Sequence, residues 1–309
     1  MKIIVTHTSP DMDAIASVWL IKKFLPGWET ASVRFVPAGE RIDSGKWKNK
    51  NELSPIERIE DDEVIHVDTG LGPLDHHQTA NDKVCGASLV WDYVKIKNEA
   101  LRLRSGQEFE IQNDKVKSKI KAISRMIKVV VDVDHFKEIF WKDATADYHE
   151  FDLVAILDGL KFQFPNQDDY YVEFVSKGLD AVLHEFENRI WAEKEIAENG
   201  QKFDTRFGKG IGFATINDSV IKLAQKMGYV IVLRKDPRKG YVRIKAMPAT
   251  GKIKIDLTSA YEKLKKLDPD ATWYLHISKK MLLNGSVKNP KMRASKLGVR
   301  EIIKVLEKI

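Results

Sequence analysis

Two short apolar runs, Lys2-Ile3-Ile4-Val5 and Glu63-Val64-Ile65-His66-Val67, each break off into a cluster of histidines and aspartates. The first cluster is Thr6-His7-Thr8-Ser9-Pro10-Asp11-Met12-Asp13. The second runs from Asp68-Thr69-Gly70 to Asp75-His76-His77-Gln78. Such runs read as buried parallel strands, and in an open α/β sheet ligands bind where the strands end. The two runs therefore predict an α/β fold that brings Asp11, Asp13, Asp68 and Asp75 to one sheet edge with His7, His76 and His77. Carboxylates so crowded need cations to hold them together. The expectation is a site for two divalent metal ions. Histidine and carboxylate donors suit Mn²⁺, Mg²⁺, Fe or Zn²⁺, and no thiolate selects a softer ion.

The rest of the chain sets bounds on this reading. At 309 residues it is long enough for two domains. Cys85 is the single cysteine, so no disulfide forms within the chain, which fits a reducing, cytoplasmic location. No apolar run reaches the length of a membrane span, and Met1-Lys2 leads straight into strand residues without a signal peptide. Charge divides unevenly. Residues 201–309 hold 25 Lys+Arg and 9 Asp+Glu, a net of +16, whereas residues 1–200 hold 26 and 36, a net of −10. That split suggests an acidic metal-holding domain and a basic domain that binds a polyanion. Asn199-Gly200 is the expected boundary, giving domains 1–200 and 201–309.

Helical spacing from Asp11 to about Phe24, stopped by Pro26-Gly27, predicts a helix that starts among the first cluster. Ser32 to Pro37 reads as a strand, 40–60 as a loop with a short helix, 63–68 as a strand and Gly86 to Lys95 as a helix. Residues 113–140 form a long helical pattern. Ile120, Ile123, Ile127, Val130 and Val131 make its apolar stripe; Asp134 falls on that stripe one turn later and Asp132 does not. A second amphipathic helix covers 170–197. Beyond it the pattern predicts a strand (Gly212 to Ile216), a helix (Ser219 to Met227) and a hairpin (Val230 to Leu233, then Tyr241 to Ala246). A helix (Thr258 to Leu267), a strand (Trp273 to Ile277) and a final helix from about Ser295 follow.

Each site residue also has a plainer role. Asp11 could serve as a helix N-cap, Asp68 as a turn residue, and Asp75-His76-His77 as a solvated loop. Taken together these roles lose ground, because all three groups fall on the sheet's functional edge. Cys85 reads as a buried core residue.

The series His7-x-x-x-Asp11-x-Asp13, then Asp68, then Asp75-His76-His77 resembles the motifs of the DHH phosphoesterase superfamily over about residues 1–140. That superfamily includes family II inorganic pyrophosphatases, RecJ-type exonucleases, oligoribonucleotide phosphatases and cyclic-dinucleotide phosphodiesterases. Asp75-His76-His77-Gln78 followed by Gly86-Ala87-Ser88-Leu89-Val90-Trp91 is similar to the MYG family of metal-dependent hydrolases, described as RNA exonucleases. So are the stretches Tyr241 to Pro248 and Trp273 to Ser278. The chain departs from that family at its first motif, at Asp132-Val133-Asp134-His135-Phe136, and at Lys279 to Ser286. Lys279-Lys280 resembles the basic pair that family II pyrophosphatases place on phosphate.

The resemblance implies a parallel-sheet N-terminal domain, a smaller α/β C-terminal domain and an active site in the cleft between them. It implies that His7 and Asp11 hold one metal, that Asp13, His76 and Asp134 hold the other, and that Asp68 bridges both. Mn²⁺ is the metal expected, with Mg²⁺ as the alternative. His77 would contact the substrate phosphate or the leaving group, and Asp75 would orient a histidine from behind. Lys279, Lys280, His276 and Arg243 would bind substrate, with Lys288 and Arg293 as further candidates. His66, His135, His149 and His184 are left as structural. The implied activity is two-metal hydrolysis of phosphodiester bonds in RNA or short oligonucleotides. The alternatives are hydrolysis of a small phosphate compound (a nucleotide, cyclic dinucleotide or pyrophosphate) and a non-catalytic nucleic-acid-binding module. No membrane partner is expected, and a homodimer is an allowed assembly.

Overall fold

A computed structural model describes residues 1–43, 54–101, 110–249, 254–286, 289 and 291–309. The chain is α/β and forms two compact units, Met1–Glu187 and Asn188–Ile309. Among the described residues no helix is long and apolar enough to cross a membrane.

The first unit is built on a four-stranded sheet in the order β2-β1-β4-β3, made of β1 (Lys2–His7), β2 (Ser32–Val36), β3 (Ile56–Ile59) and β4 (Asp62–His66). β1 lies in parallel between β2 and β4, and Ile3, Ile4 and Val5 are fully buried. That is why its apolar run is continuous rather than alternating. The register pairs Ile4 with Ile65 and Val5 with His66, and Val67 N donates to Val5 O at 2.9 Å. The same register carries His7 and Asp68 off neighbouring strand ends side by side.

Among the described residues its α-helices are α1 (Met12–Phe24), α2 (Gly86–Lys97), α3 (Glu110–Asp134), α4 (Leu153–Gln163) and most of α5 (Asp168–Glu198). Asp11 caps α1 by accepting from Ala14 N at 3.0 Å. From Met12 to Ile21 every residue of α1 is buried, so it is a core helix and not a surface one. On α3, Ala122, Ile123, Met126, Ile127, Val130 and Val131 are buried, as the stripe predicts.

Three expectations need correction here. β3 lies where a loop with a short helix was expected; it is an antiparallel edge strand on β4, and its four residues are too few to show a period. The 44–53 part of the expected loop and short helix lies outside the described residues. The helix expected to run to residue 140 ends at Asp134. Phe136 then takes a left-handed conformation (φ 55°), and Lys137–Phe140 is a separate short 3-10 turn. α4 was not foreseen.

The second unit carries a six-stranded sheet, β5-β6-β7-β8-β10-β9. Its strands are β5 (Gln201–Thr205), β6 (Gly208–Ala214), β7 (Ile231–Lys235), β8 (Val242–Ala246), β9 (Tyr274–Leu275) and β10 (Met281–Asn284). β6 and β7 are parallel, joined through α6 (Ser219–Lys226), and the other pairs are antiparallel. The expected β7–β8 hairpin is present: Asp236 Oδ1 accepts from Arg238 N (2.8 Å) and Lys239 N (3.1 Å) in its turn. β5 and β10 were missed, and the strand expected at Trp273 to Ile277 is only Tyr274–Leu275.

Period-two alternation splits β7 between two cores. Ile231 and Leu233 pack with α7 (Thr258–Leu267) and α8 (Val299–Leu306). Val232 packs on the opposite face with Ile211, Phe213, Val220 and Ile221, and with Ala192 and Ile196 from the end of α5. The division between units therefore falls inside α5, before the Asn199-Gly200 stop that marked the expected boundary.

Candidate metal centre

β1, the start of α1, the β4 loop, α2 and the last residue of α3 converge on one cluster. Asp68, at φ 51°, is its middle. Its Oδ2 stands 3.4 Å from His7 Nε2, and its Oδ1 stands 3.4 Å from His76 Nε2. His7 Nε2 is also 3.9 Å from Asp11 Oδ2. On the other side, His76 Nε2 lies 3.7 Å from Asp13 Oδ2 and 3.6 Å from Asp134 Oδ2. All six residues expected as metal ligands are thus together, and one carboxylate faces both halves.

These separations are long for hydrogen bonds. Donors each about 2.1 Å from a shared ion stand roughly 3.0–3.5 Å apart; the two Asp68–histidine separations fall in that range, and the other three, at 3.6, 3.7 and 3.9 Å, are slightly wider. Asp68 Oδ1 and Asp134 Oδ2 are buried with no hydrogen-bond partner among the described residues. A buried carboxylate oxygen left that way is costly, and a cation would satisfy both. The donor set therefore fits two divalent ions.

Without cations the cluster is electrostatically strained. Burial, then the charge of Asp68, raises the pKa of Asp13 well above the carboxylate range. Burial likewise raises that of Asp134. For Asp68, burial is outweighed by its contacts with His7 and His76, and its pKa is lowered. Contact with Asp68, helped by Asp134 and Asp13, raises the pKa of His76 to about 9. For His7, burial is outweighed by Asp68, the Thr8 carbonyl and Asp11, and its pKa is also about 9. The imidazoles thus act as stand-in cations for the carboxylates, a task that bound metal would take over.

Asp13 has a second role. It accepts from Gly86 N at 2.6 Å and Ala87 N at 2.7 Å, so the N-terminus of α2 points at it. That favours the ionised carboxylate and ties α1 to α2. Cys85, fully buried beside it, has its thiol pKa pushed up by burial and by the Asp13 charge, as suits an inert core residue.

His77 stands at the rim with its side chain 57% exposed. Its Nδ1 donates to Asp75 Oδ1 at 2.7 Å. Asp75 is buried and also accepts from Leu71 N (2.7 Å) and His77 N (3.0 Å). This fixes the His77 ring.

His135, expected to be structural, sits at the cluster. Its Nε2 is 3.6 Å from Asp134 Oδ2 and 2.9 Å from the Val84 carbonyl. Its place directly after Asp134, at a helix end, was the available signal. Gly86 was also passed over; a Cβ there would lie 3.0 Å from both Asp13 Oδ2 and Asp68 Cβ. Asp132 turns away and pairs with Lys128 at 2.7 Å. His66 is buried between Glu57 and the Ile42 N–H, His149 stacks near Tyr148, and His184 is exposed on α5.

The substrate-binding candidates all belong to the second unit. Lys279 (φ 57°) sits in the β9–β10 turn with Nζ 3.2 Å from Asp256. His276 Nδ1 is 2.8 Å from Ser278 Oγ. Lys280 Nζ donates to the Ile255 carbonyl, and Arg243 is bound to Asp218. Arg293 joins the loop through its backbone N, 3.2 Å from Thr272 Oγ1. Lys288 lies outside the described residues.

No family model matches the chain, and no curated protein matches it. Among solved structures it overlaps a DHH domain of a member of the s1p family of ribosomal proteins at 11% identity. That overlap covers 99% of this chain and 86% of the other, with a TM-score of 0.32. An uncharacterised protein from Helicobacter pylori G27 overlaps at 12% identity, 100% and 99% coverage, TM-score 0.23. A putative family II inorganic pyrophosphatase from Methanococcus jannaschii overlaps at 14% identity, 99% and 99% coverage, TM-score 0.19.

Proposed function

We propose that this chain is a metal-dependent phosphoesterase of the DHH type, acting on RNA or short oligonucleotides. The observation that carries the reading is Asp68, with one oxygen 3.4 Å from His7 and the other 3.4 Å from His76, each histidine backed by further carboxylates. His7, Asp11 and Asp68 would hold one divalent ion, and Asp13, Asp68, His76 and Asp134 the other, with Mn²⁺ the metal inferred. When bound, the pair supplies the positive charge that phosphoryl oxygens need and makes water nucleophilic at neutral pH.

The chain's own groups do the rest. Asp75 keeps the proton on His77 Nδ1, so Nε2 is the nitrogen that would hold a proton at the leaving oxygen. The Gly86 and Ala87 N–H groups favour the ionised form of Asp13, against the burial and the Asp68 charge that raise its pKa. In the second unit, Lys279 and His276 are the inferred phosphate contacts: the Lys279–Asp256 pair is half-exposed and weak and His276 lies in the same turn, whereas Lys280 and Arg243 are engaged with Ile255 and Asp218.

The test is chelation, reloading with Mn²⁺, metal analysis and a substrate panel: labelled RNA, a dinucleotide, a cyclic dinucleotide and pyrophosphate. About two ions per chain are expected by the two-metal model, with turnover of RNA or dinucleotide that Asp68→Asn abolishes. A preference for pyrophosphate or the cyclic dinucleotide would move the assignment to a small phosphate compound. A protein that stays folded, binds no metal and turns over none of the four would refute the phosphoesterase reading.

A further inference from the structure

The second unit's sheet is covered unequally on its two faces. On one, Leu233, Ile244 and Leu282 lie in a core with α7 and α8. On the other, α6 and the end of α5 pack on Ile211, Phe213 and Val232 of β6 and β7. Among the described residues, β8, β10 and β9 contribute nothing to that second core.

The pairing register fixes what those three strands place beside it. Residues directly opposite in antiparallel strands share a face. One row therefore runs Arg234, Arg243, Leu283, Tyr274 across β7, β8, β10 and β9. The next runs Val232, Lys245, Met281, and His276 N donates to the Met281 carbonyl at 2.9 Å, which puts His276 at its end. Val232 belongs to the second core, so both rows lie on that face. Beyond β7 the face thus carries cations on β8, aliphatic side chains on β10 and rings on β9. Met281 and Leu283 are half-buried and belong to neither core, and Tyr274 is 49% exposed.

Charge and shape narrow the ligand. Arg234 and Arg243 stand directly opposite, which like charges do only at a cost, and they share one carboxylate, Asp218. With Lys245, three cations face one carboxylate, within a stretch, residues 201–309, of net charge +16. That suits a polyanion. Tyr274 stands two strand spacings, about 10 Å, from Arg243, across the aliphatic Leu283. A ring beside aliphatic side chains offers a flat apolar surface that an unpaired base fills and a lone phosphate does not. Sheets that stack bases on their rings and hold phosphates with nearby cations read single strands in this way. The β9–β10 turn that carries Lys279 closes one end of the same face.

We propose that the β8-β10-β9 face holds a single-stranded nucleic acid, with a base on Tyr274 and Leu283 and phosphates at Lys245 and Arg243. The strand continues from the Lys279 contact, so a hexamer binds better than a dinucleotide. That the strand is RNA rests on the phosphoesterase reading; the stacking and the charge do not.

Fluorescence anisotropy in EDTA, where nothing turns over, tests this. A labelled RNA hexamer, the same hexamer in a duplex and a labelled dinucleotide are titrated into the full-length wild type, Tyr274→Leu and Lys245→Gln. Lys304→Gln, on α8 and so on the covered side of the sheet, is the matched charge change. Thermal melting checks folding, and Tyr274→Thr, which also suits a strand, replaces Tyr274→Leu if that variant melts early. Wild type is expected to prefer the hexamer to both other ligands. Tyr274→Leu should bind the hexamer at least about fivefold more weakly, the low end for one base stack. Lys245→Gln should bind more weakly, with a salt slope lower by about 0.7, and Lys304→Gln should bind as wild type. Equal binding of duplex and single strand, equal weakening by Lys245→Gln and Lys304→Gln, an undiminished Tyr274→Leu, or no binding to wild type overturns the proposal. Self-association lost in Tyr274→Leu, without RNA binding, also overturns it and gives the face to a second copy. Because no metal or turnover enters, failure here leaves the hydrolysis assay to judge the phosphoesterase reading by itself. Hexamer binding beside a failed hydrolysis panel would keep the face and sink that reading.

Discussion

Asp134 and Asp132 lie two positions apart on one helix and face different chemistry. Asp134 Oδ2 is buried without a hydrogen-bond partner among the described residues and lies 3.6 Å from His76, whereas Asp132 pairs with Lys128 near the surface. Asp134→Asn is therefore expected to lower metal affinity and turnover by at least about a hundredfold, the upper end for groups that support a metal ligand. Asp132→Asn should cost only a few-fold. Metal titration of the two variants checks this, and the opposite order would show that the α3 phase has been misassigned. The apolar stripe was enough to separate the two residues in the sequence, because burial follows helical phase. His135 was legible in the same way: it follows Val131 of the stripe by four residues, and its N–H donates to the Val131 carbonyl at 3.2 Å, yet it was expected to be structural. Gly86 is subtler still. The missing side chain makes room for Asp13 and Asp68, and an absence leaves no pattern. Gly86→Ala would place a methyl 3.0 Å from Asp68 Cβ, which is overpacking and costs about 1–3 kcal/mol. Lower thermal stability together with weaker metal binding is the expected result; a variant that matches wild type in both would mean that the carboxylates can shift freely.

Among the elements, those with a long period or a long apolar run were readable: β1, β4, α1, α3, α5 and the β7–β8 hairpin. β3, β5 and β10 are short strands that pair antiparallel, where four or five residues show no distinctive alternation and pairing partners supply the order. The β9–β10 turn shows the same limit at a functional position. Lys279 and Lys280 are neighbours in sequence, yet the Lys279 side chain is 55% exposed while Lys280 reaches back to the Ile255 carbonyl. The Lys279–Asp256 pair is half-exposed and adds little to stability. Lys279→Ala should leave the melting temperature in place and lower kcat/KM tenfold or more. Lys280→Ala should act the other way, with a loss of about 1 kcal/mol in stability and a smaller kinetic effect. Parallel melting curves and initial rates on the best substrate separate the two. Wild-type rates for Lys279→Ala would remove that residue from the substrate contacts.

For the whole molecule, the acidic and basic halves were visible as a charge count, but the place where one unit gives way to the next was not. Asn199-Gly200 ends α5 and so looked like a boundary, since a helix stop is a local signal. The cores give a different division. Ala192 and Ile196, on the last turns of α5, are buried with Ile211, Phe213 and Val232 of the second unit. The helix is thus one element locally and serves two cores. A fragment of residues 188–309 contains every buried member of both second-unit clusters and is expected to fold by itself with a cooperative melt. A fragment of residues 201–309 lacks Ala192 and Ile196. Removing one large buried aliphatic side chain typically costs about 2–5 kcal/mol, a large part of the stability of a domain this size. The shorter fragment should melt well below the longer one, or bind a hydrophobic dye as a partly folded state. If the two fragments melted alike, the end of α5 would belong to the first unit, and the Asn199-Gly200 boundary would be restored.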